Sequence, residues 1–163
     1  MICGLGNALV DAIVRIPDDA TLARMDLRRG TMHLVDDAAW QAAFAQVEQF
    51  GAEILPGGSC ANAIVTAAIL GGEADLCANV GDERFGRIYS DRLTETVGKH
   101  HVHLGPGMAT GKCLSLISPD AERTMLTDLG CAMELPPSEL FRETLRGADI
   151  FHLTGYLYTG GPI

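Results

Sequence analysis

The stretch Pro56-Gly57-Gly58-Ser59-Cys60-Ala61-Asn62, running into the apolar segment Ala63 to Leu70 and stopped by Gly71-Gly72, decides how this chain is read. Two consecutive glycines permit positive φ and let another group approach the backbone with no Cβ in the way. The small-residue run behind them reads as a helix, with Ser59 as its N-cap and Asn62 in its first turn. Such a helix start carries N–H groups without intrahelical partners, which favour anions and polar ligand groups. A backbone-lined cradle with one amide side chain suits a hydroxylated small molecule. Taken alone, the segment is better read as a turn whose glycines serve close helix–strand packing; the surrounding chain shifts that balance.

Upstream of the turn, Ile2 to Leu5 and Leu9 to Ile16 read as strand, or as one long interrupted strand. Asp18 to Met25 is a short helical stretch and Thr31 to Val35 a short strand. Asp36-Asp37 cap a helix over Ala38 to Phe50, where Trp40, Phe44 and Val47 recur at near-helical spacing. Ala52 to Leu55 is a strand leading into the turn. Downstream, Ala74 to Val80 is strand, Gly81-Asp82-Glu83 a turn with Asp82 as N-cap, and Phe85 to Val97 a helix ended near Gly98. Val102 to Gly107 reads as a connection. Lys112 to Ser118 and Arg123 to Leu129 flank the turn residues Pro119-Asp120-Ala121 and form a hairpin. Pro136 to Leu145 is a helix, Asp149 to Leu153 a short buried strand, and Gly155 to Ile163 has no ending signal. Strand and helix alternate, which points to an α/β layered fold with a mostly parallel sheet flanked by helices. The hairpin breaks the alternation and, with Thr31 to Val35, makes a small separate sheet.

The 163 residues suit one domain, and 47% hydrophobic with 20% charged residues is a globular profile. The formal charge of −9 argues against a nucleic-acid or anionic-membrane surface. Five widely spaced cysteines, Cys3, Cys60, Cys77, Cys113 and Cys131, signal neither a disulfide framework nor a zinc site. Reduced thiols in a cytoplasmic protein fit best. The N-terminus lacks the basic region of a signal peptide, and no apolar run is long enough to span a bilayer.

Asn7, Leu9 and Asp11 alternate, so an extended strand places them on one face. Asn7 and Asp11 would then stand about 13 Å apart, enough to bracket a sugar-sized ligand. An acid inside an apolar strand is costly unless it is paired or faces a cavity, so Asp11 is a site candidate or a satisfied structural carboxylate. Ala12, Val14 and Ile16 point the other way, into the core. Gly4-x-Gly6 after a strand invites a dinucleotide-binding reading, but Leu9 stands where a third glycine should open a helix. Asn79-Val80-Gly81-Asp82 ends a strand at the edge where open α/β sheets bind ligands. His100, His101 and His103 read as a solvated loop rather than a metal site. Arg123 near the hairpin tip is an exposed turn residue or an anion contact on a moving lid.

Together these segments resemble the PfkB (ribokinase-like) carbohydrate and nucleoside kinases. Gly57-Gly58 with Asn62-Ala63, Ala67 and Leu70-Gly71-Gly72 is similar to that family's first signature. Gly6 to Asp11 resembles its opening substrate-binding strand, Gly81-Asp82-x-x-Phe85-Gly86 another family segment, and Thr110 to Thr124 the lid hairpin. The Asn-x-x-x-Asp spacing of Asn7 and Asp11, and Leu129-Gly130-Cys131-Ala132, resemble the family's adenosine kinases most. The resemblance implies that Asp11, Gly58 and Asn62 hold ribose hydroxyls, that Gly57, Ser59 and Asn7 shape the pocket, that Leu9 packs on the base, and that Cys113 and Arg123 belong to the lid.

The implied reaction is in-line phosphoryl transfer from Mg-ATP to a hydroxyl, with an aspartate taking its proton. In the family the ATP site, anion hole and catalytic base lie around a Gly-Ala-Gly-Asp motif that this sequence lacks. The expectation is therefore a substrate-binding half over 1–163, with lid segments about 31–35 and 112–128, no catalytic residue and no metal ligand of its own, and inactive alone. A sugar kinase of the ribokinase or fructokinase type, and a non-catalytic binding or interaction fragment, stand as alternatives. The ligand expected is a nucleoside or sugar, with no nucleic-acid or membrane partner. A sheet short of its later strands would expose an edge, so a homodimer through that edge or the lid sheet is expected.

Overall fold

The computed structural model describes residues 1–134 and 137–159; Pro136 and the expected tail over 160–163 lie outside the described residues. In chain order the elements are β1 (Ile2–Leu5), β2 (Leu9–Arg15), α1 (Ala20–Arg24), β3 (Met32–Leu34), α2 (Asp37–Val47), β4 (Ala52–Gly57), α3 (Ser59–Ile69), β5 (Ala74–Gly81), α4 (Arg84–Val97), β6 (His101–Gly105), β7 (Gly111–Ile117), β8 (Arg123–Asp128), α5 (Ser138–Leu145) and β9 (Ile150–Leu153). Short 3₁₀ turns follow α2, β8 and β9. The fold is α/β, with a parallel sheet flanked by helices. None of the described helices is long and apolar enough to cross a membrane.

The chain forms two compact units. The first comprises Met1–Val10, Pro56–Gly111 and Cys131–Ile163. Its sheet runs β6-β5-β1-β9, and every pairing is parallel. Ile2 of β1 stands opposite Ala74 of β5 and Ile150 of β9. β1 and β5 are buried almost throughout, as strands covered on both faces must be. Leu5 and Cys77 cluster with Leu140 and Phe141 of α5, while the neighbouring Gly4 faces Cys60 and Ile64 of α3. Successive strand residues point to opposite faces, so α5 and α3 lie on opposite sides of this sheet.

The second unit comprises Asp11–Leu55 and Lys112–Gly130. Its strands belong to a five-stranded sheet of order β3-β8-β7-β2-β4, in which β7 and β8 are the expected antiparallel hairpin and β3 joins β8 in parallel. Ala12, Val14 and Ile16 are buried as expected. The N-cap Asp36 accepts from the Ala39 N–H at 2.8 Å, and Trp40 of α2 is buried and stacked on Phe44 with centroids 5.0 Å apart.

Several sequence expectations need correction. β1 and β2 are not one interrupted strand but members of different sheets. Val102 to Gly107 is not a bare connection: His101–Gly105 is β6, paired with β5. The histidines do not form a solvated loop either, because His101 is buried with its Nδ1 2.6 Å from Asp75 Oδ2 and its Nε2 3.2 Å from Glu143 Oε2. The carboxylates compensate the cost of burying the imidazole, which composition alone does not show. β9 is an edge strand rather than a buried one, with Ile150 57% and Phe151 41% exposed. The last helix starts at Ser138, with Pro137 as its N-cap.

Candidate functional site

In the first unit, the glycine turn is built by a strand that runs further than its sequence suggests. β4 continues through Pro56 to Gly57, and α3 starts at once. The N-cap is Gly58, with φ +99° and ψ 130°, and not Ser59. A side chain at the cap would be strained and obstructed: a Cβ on Gly58 would lie 2.2 Å from the Asn7 carbonyl oxygen. Ser59 is thereby pushed into the first turn, where its Oγ is 3.4 Å from Thr154 Oγ1. The first intrahelical bond runs from the Asn62 N–H to the Gly58 carbonyl at 2.9 Å, and no side chain caps the helix start. Asn62 is exposed beside a cleft of about 210 Å³ between α3 and α4, walled also by Pro56, Ala61, Val65 and Leu93.

Asn7 lies in the break between β1 and β2, 8% exposed, against the same turn. Its Nδ2 donates to Met133 Sδ at 3.4 Å, while its Oδ1 is buried with no partner among the described residues. Asn79, near the C-terminal end of β5, repeats the pattern: Nδ2 donates to the Glu134 carbonyl at 2.8 Å and Oδ1 has no partner among the described residues. A buried carbonyl oxygen with no donor costs about 1–3 kcal/mol, so two of them at one sheet edge ask for an explanation. Sequence reasoning noticed the Asn79 segment but assigned Asn79 no role. Its signal is an amide near the C-terminal end of a mostly apolar strand, at the edge where parallel sheets bind ligands.

The loop after β5 is held by a cap that the sequence also misplaced. Glu83, rather than Asp82, caps α4: its carboxylate accepts from Phe85 N–H at 2.7 Å, Gly86 N–H at 3.3 Å and Thr110 N–H at 3.2 Å. The longer side chain reaches both the helix and the Ala109–Thr110 backbone, while Asp82 turns to Arg87 at 2.6 Å.

In the second unit, Asp11 is half-buried on β2; Leu9, two residues earlier on the same strand and also half-buried, belongs to the first unit, and Asn7 precedes the strand altogether. The structure brings Asp11, Cys113 and Arg123 within electrostatic reach of one another. Burial raises the Asp11 carboxyl above its ordinary value of 3.8, and the Arg123 guanidinium pulls it back only in part. Burial likewise raises the Cys113 thiol, against hydrogen bonds with Thr127 and Ser115. Arg123 opens β8 opposite Ile117 and is exposed. Among the described residues no three His, Cys, Asp or Glu side chains group as a metal site.

Residues 32–162 match the profile of the pfkB family carbohydrate kinases. The chain is 28% identical over 122 residues to a protein named probable fructokinase-2 from Arabidopsis thaliana, covering 73% of this chain and 37% of that protein. Among solved structures it is similar to the adenosine kinase of Sinorhizobium meliloti, with TM-score 0.82, 27% identity, and 98% of this chain against 48% of that one. A probable sugar kinase from Rhizobium etli superposes with TM-score 0.83 at 26% identity and the same coverage. The chain thus spans about half the length of these solved relatives. The profile runs from β3 through the glycine turn, the Glu83 cap and the hairpin, so these parts have a common origin: the chain belongs to the pfkB family of carbohydrate kinases.

Proposed function

We propose that this chain holds the alcohol acceptor of a phosphoryl transfer, and that the acceptor is a nucleoside, adenosine first. The observation that carries the reading is the buried Asn7 Oδ1, without a donor among the described residues, beside Gly58, where a Cβ would meet the Asn7 carbonyl oxygen. A ligand hydroxyl donating to such an oxygen, and accepting from a backbone N–H at the start of α3, would satisfy both. In this reading Gly57, Gly58, Ser59 and Asn62 line the floor, Leu9 packs against the base, and Asp11 accepts from a further hydroxyl. Cys113 and Arg123 belong to the lid assigned to segments 31–35 and 112–128. The ribose reading leans on the likeness to adenosine kinases and on the Asn7–Asp11 spacing. The fructokinase relatives favour a ketohexose in the same cradle, the second reading.

ATP, with magnesium, would supply the phosphoryl group by family analogy. Among the described residues no three His, Cys, Asp or Glu side chains group to hold that ion, and no residue is assigned as the catalytic base. The chain's contribution is to bind and orient the acceptor, and alone it is expected to be inactive. Calorimetric titration with adenosine and with fructose tests the proposal. Adenosine is expected to bind, and Asp11→Ala to abolish the heat. Binding of fructose alone would replace the nucleoside reading with the sugar one. Turnover of adenosine by this chain with Mg-ATP would overturn the assignment of an acceptor half.

A further inference from the structure

Tyr89 is fully buried on α4, and its hydroxyl donates to the carbonyl of Gly57 at 3.1 Å. That carbonyl belongs to the peptide joining Gly57 to Gly58, the bond at the centre of the turn. Neither glycine has a side chain whose packing could fix the plane of this peptide, and Gly58 already sits at φ +99°. In a trans peptide the N–H points opposite to the C=O. A donor that pins the Gly57 oxygen toward α4 therefore turns the Gly58 N–H away from α4.

The tyrosine is itself held firmly. Glu83 ties the first turn of α4 to the Thr110 backbone, and Gly86 sits so close to the end of β5 that a Cβ there would be 1.8 Å from the Gly81 carbonyl oxygen. Tyr89 lies three residues beyond Gly86, on the same face of the helix. The locked helix start thus fixes where the phenol hydroxyl stands.

We propose that Tyr89 is a positioning residue, which orients the Gly57–Gly58 peptide so that the Gly58 N–H is presented to a ligand hydroxyl. The proposal rests on the acceptor-binding reading of the turn. The test variant is Tyr89→Phe, which keeps the ring and removes only the hydroxyl, with Asp91→Ala, exposed on α4 and outside the cleft beside Asn62, as control. Two readouts are taken well below the unfolding temperature. The first is amide hydrogen exchange across Gly58–Asn62; the second is the calorimetric affinity for adenosine and fructose. Tyr89→Phe is expected to speed exchange at the turn, leave β5 amides unchanged, and weaken the bound ligand by about three- to tenfold, the worth of one hydrogen bond. Asp91→Ala is expected to move neither.

Unchanged exchange at the turn overturns the proposal, whether or not any ligand binds. Faster exchange with unaltered affinity also overturns it, since the peptide would then be held but not used. A lower melting temperature with neither readout moved would mark Tyr89 as packing alone. If the native chain binds neither adenosine nor fructose, the acceptor reading fails, and hydrogen exchange by itself decides whether Tyr89 holds the turn.

Discussion

Each of the two units of this chain is built internally on a different physics. In the first, backbone approaches backbone: Gly58 against the Asn7 carbonyl and Gly86 against the Gly81 carbonyl leave no room for a methyl group. In the second, the centre is a buried charge. Lys112 is 2% exposed, with Nζ 2.6 Å from Asp128 and 2.7 Å from Asp37, and 5.4 Å from the Trp40 ring centroid. Burial alone would lower the lysine's affinity for its proton, but the hydrogen bonds to Asp128 and Asp37 outweigh it and raise it. Around it, hydroxyls and surface charges complete the unit: Ser118 donates to Asp19, and Arg29 pairs with Asp19 and Asp120. A region built on steric fit tolerates no added atom, whereas one built on charge tolerates no missing partner.

The largest effect should come from violating the steric rule. Gly86→Ala forces a Cβ onto a backbone oxygen with no side chain to yield, so a loss above about 4 kcal/mol in denaturant unfolding is expected. A loss near 1 kcal/mol would show that α4 can slide and that the close approach is incidental. Next comes the charge rule. Lys112→Met leaves Asp128 buried without its cation, and about 3–5 kcal/mol should be lost. Trp40 is the sole tryptophan and touches the lysine, so its fluorescence reads this transition directly. A neutral result would mean that the methionine's packing offsets the lost cation.

A smaller, pH-dependent effect sharpens the contrast at Asp11. Its carboxyl is raised mainly by desolvation, so the folded state favours the protonated form. The stability this contributes is fully present below the ordinary value of 3.8 and is lost as pH rises through the raised value. Asp11→Asn should remove that component from the pH–stability curve. A ligand hydroxyl donating to Asp11 prefers the carboxylate, so adenosine affinity should strengthen over the same rise, opposite in sign to stability. Affinity flat across that range would remove Asp11 from the ligand's contacts. The smallest effect concerns reactivity. Burial pushes the Cys60 thiol up to about 12 and Cys77 up to about 11. At pH 8 the Cys60 thiolate is then about one part in ten thousand, so iodoacetamide should spare both thiols until the chain unfolds. Rapid native labelling at Cys60 would mean that α3 opens from the sheet.

Much of this was legible along the chain. The strand and helix positions rest on local periodicity, and the hairpin rests on Pro119-Asp120-Ala121, so both could be read without tertiary contacts. The candidate site was legible in part. Gly57, Gly58 and Asn62 were marked by composition and order, and Asp11 by an acid standing in an apolar strand. The misses share one cause. Ser59 is a better cap than glycine by propensity, yet Gly58 takes the position because Asn7 is too near for a side chain. Glu83 displaces Asp82 because Thr110 offers a third N–H that only a longer carboxylate reaches. His101 looked solvated because Asp75 and Glu143 are distant in sequence.

By itself, the order of residues determined the α/β class, the glycine turn before a small-residue helix, the hairpin and the family resemblance, because each depends on spacing over a few residues. The tertiary structure alone decided which groups those elements hold. It set Asn7 and Asn79 with buried oxygens that lack donors among the described residues, placed a lysine among two carboxylates and a tryptophan, and brought the Tyr89 hydroxyl onto the Gly57 carbonyl. Those contacts join residues far apart in the chain, and only packing brings them within hydrogen-bond distance.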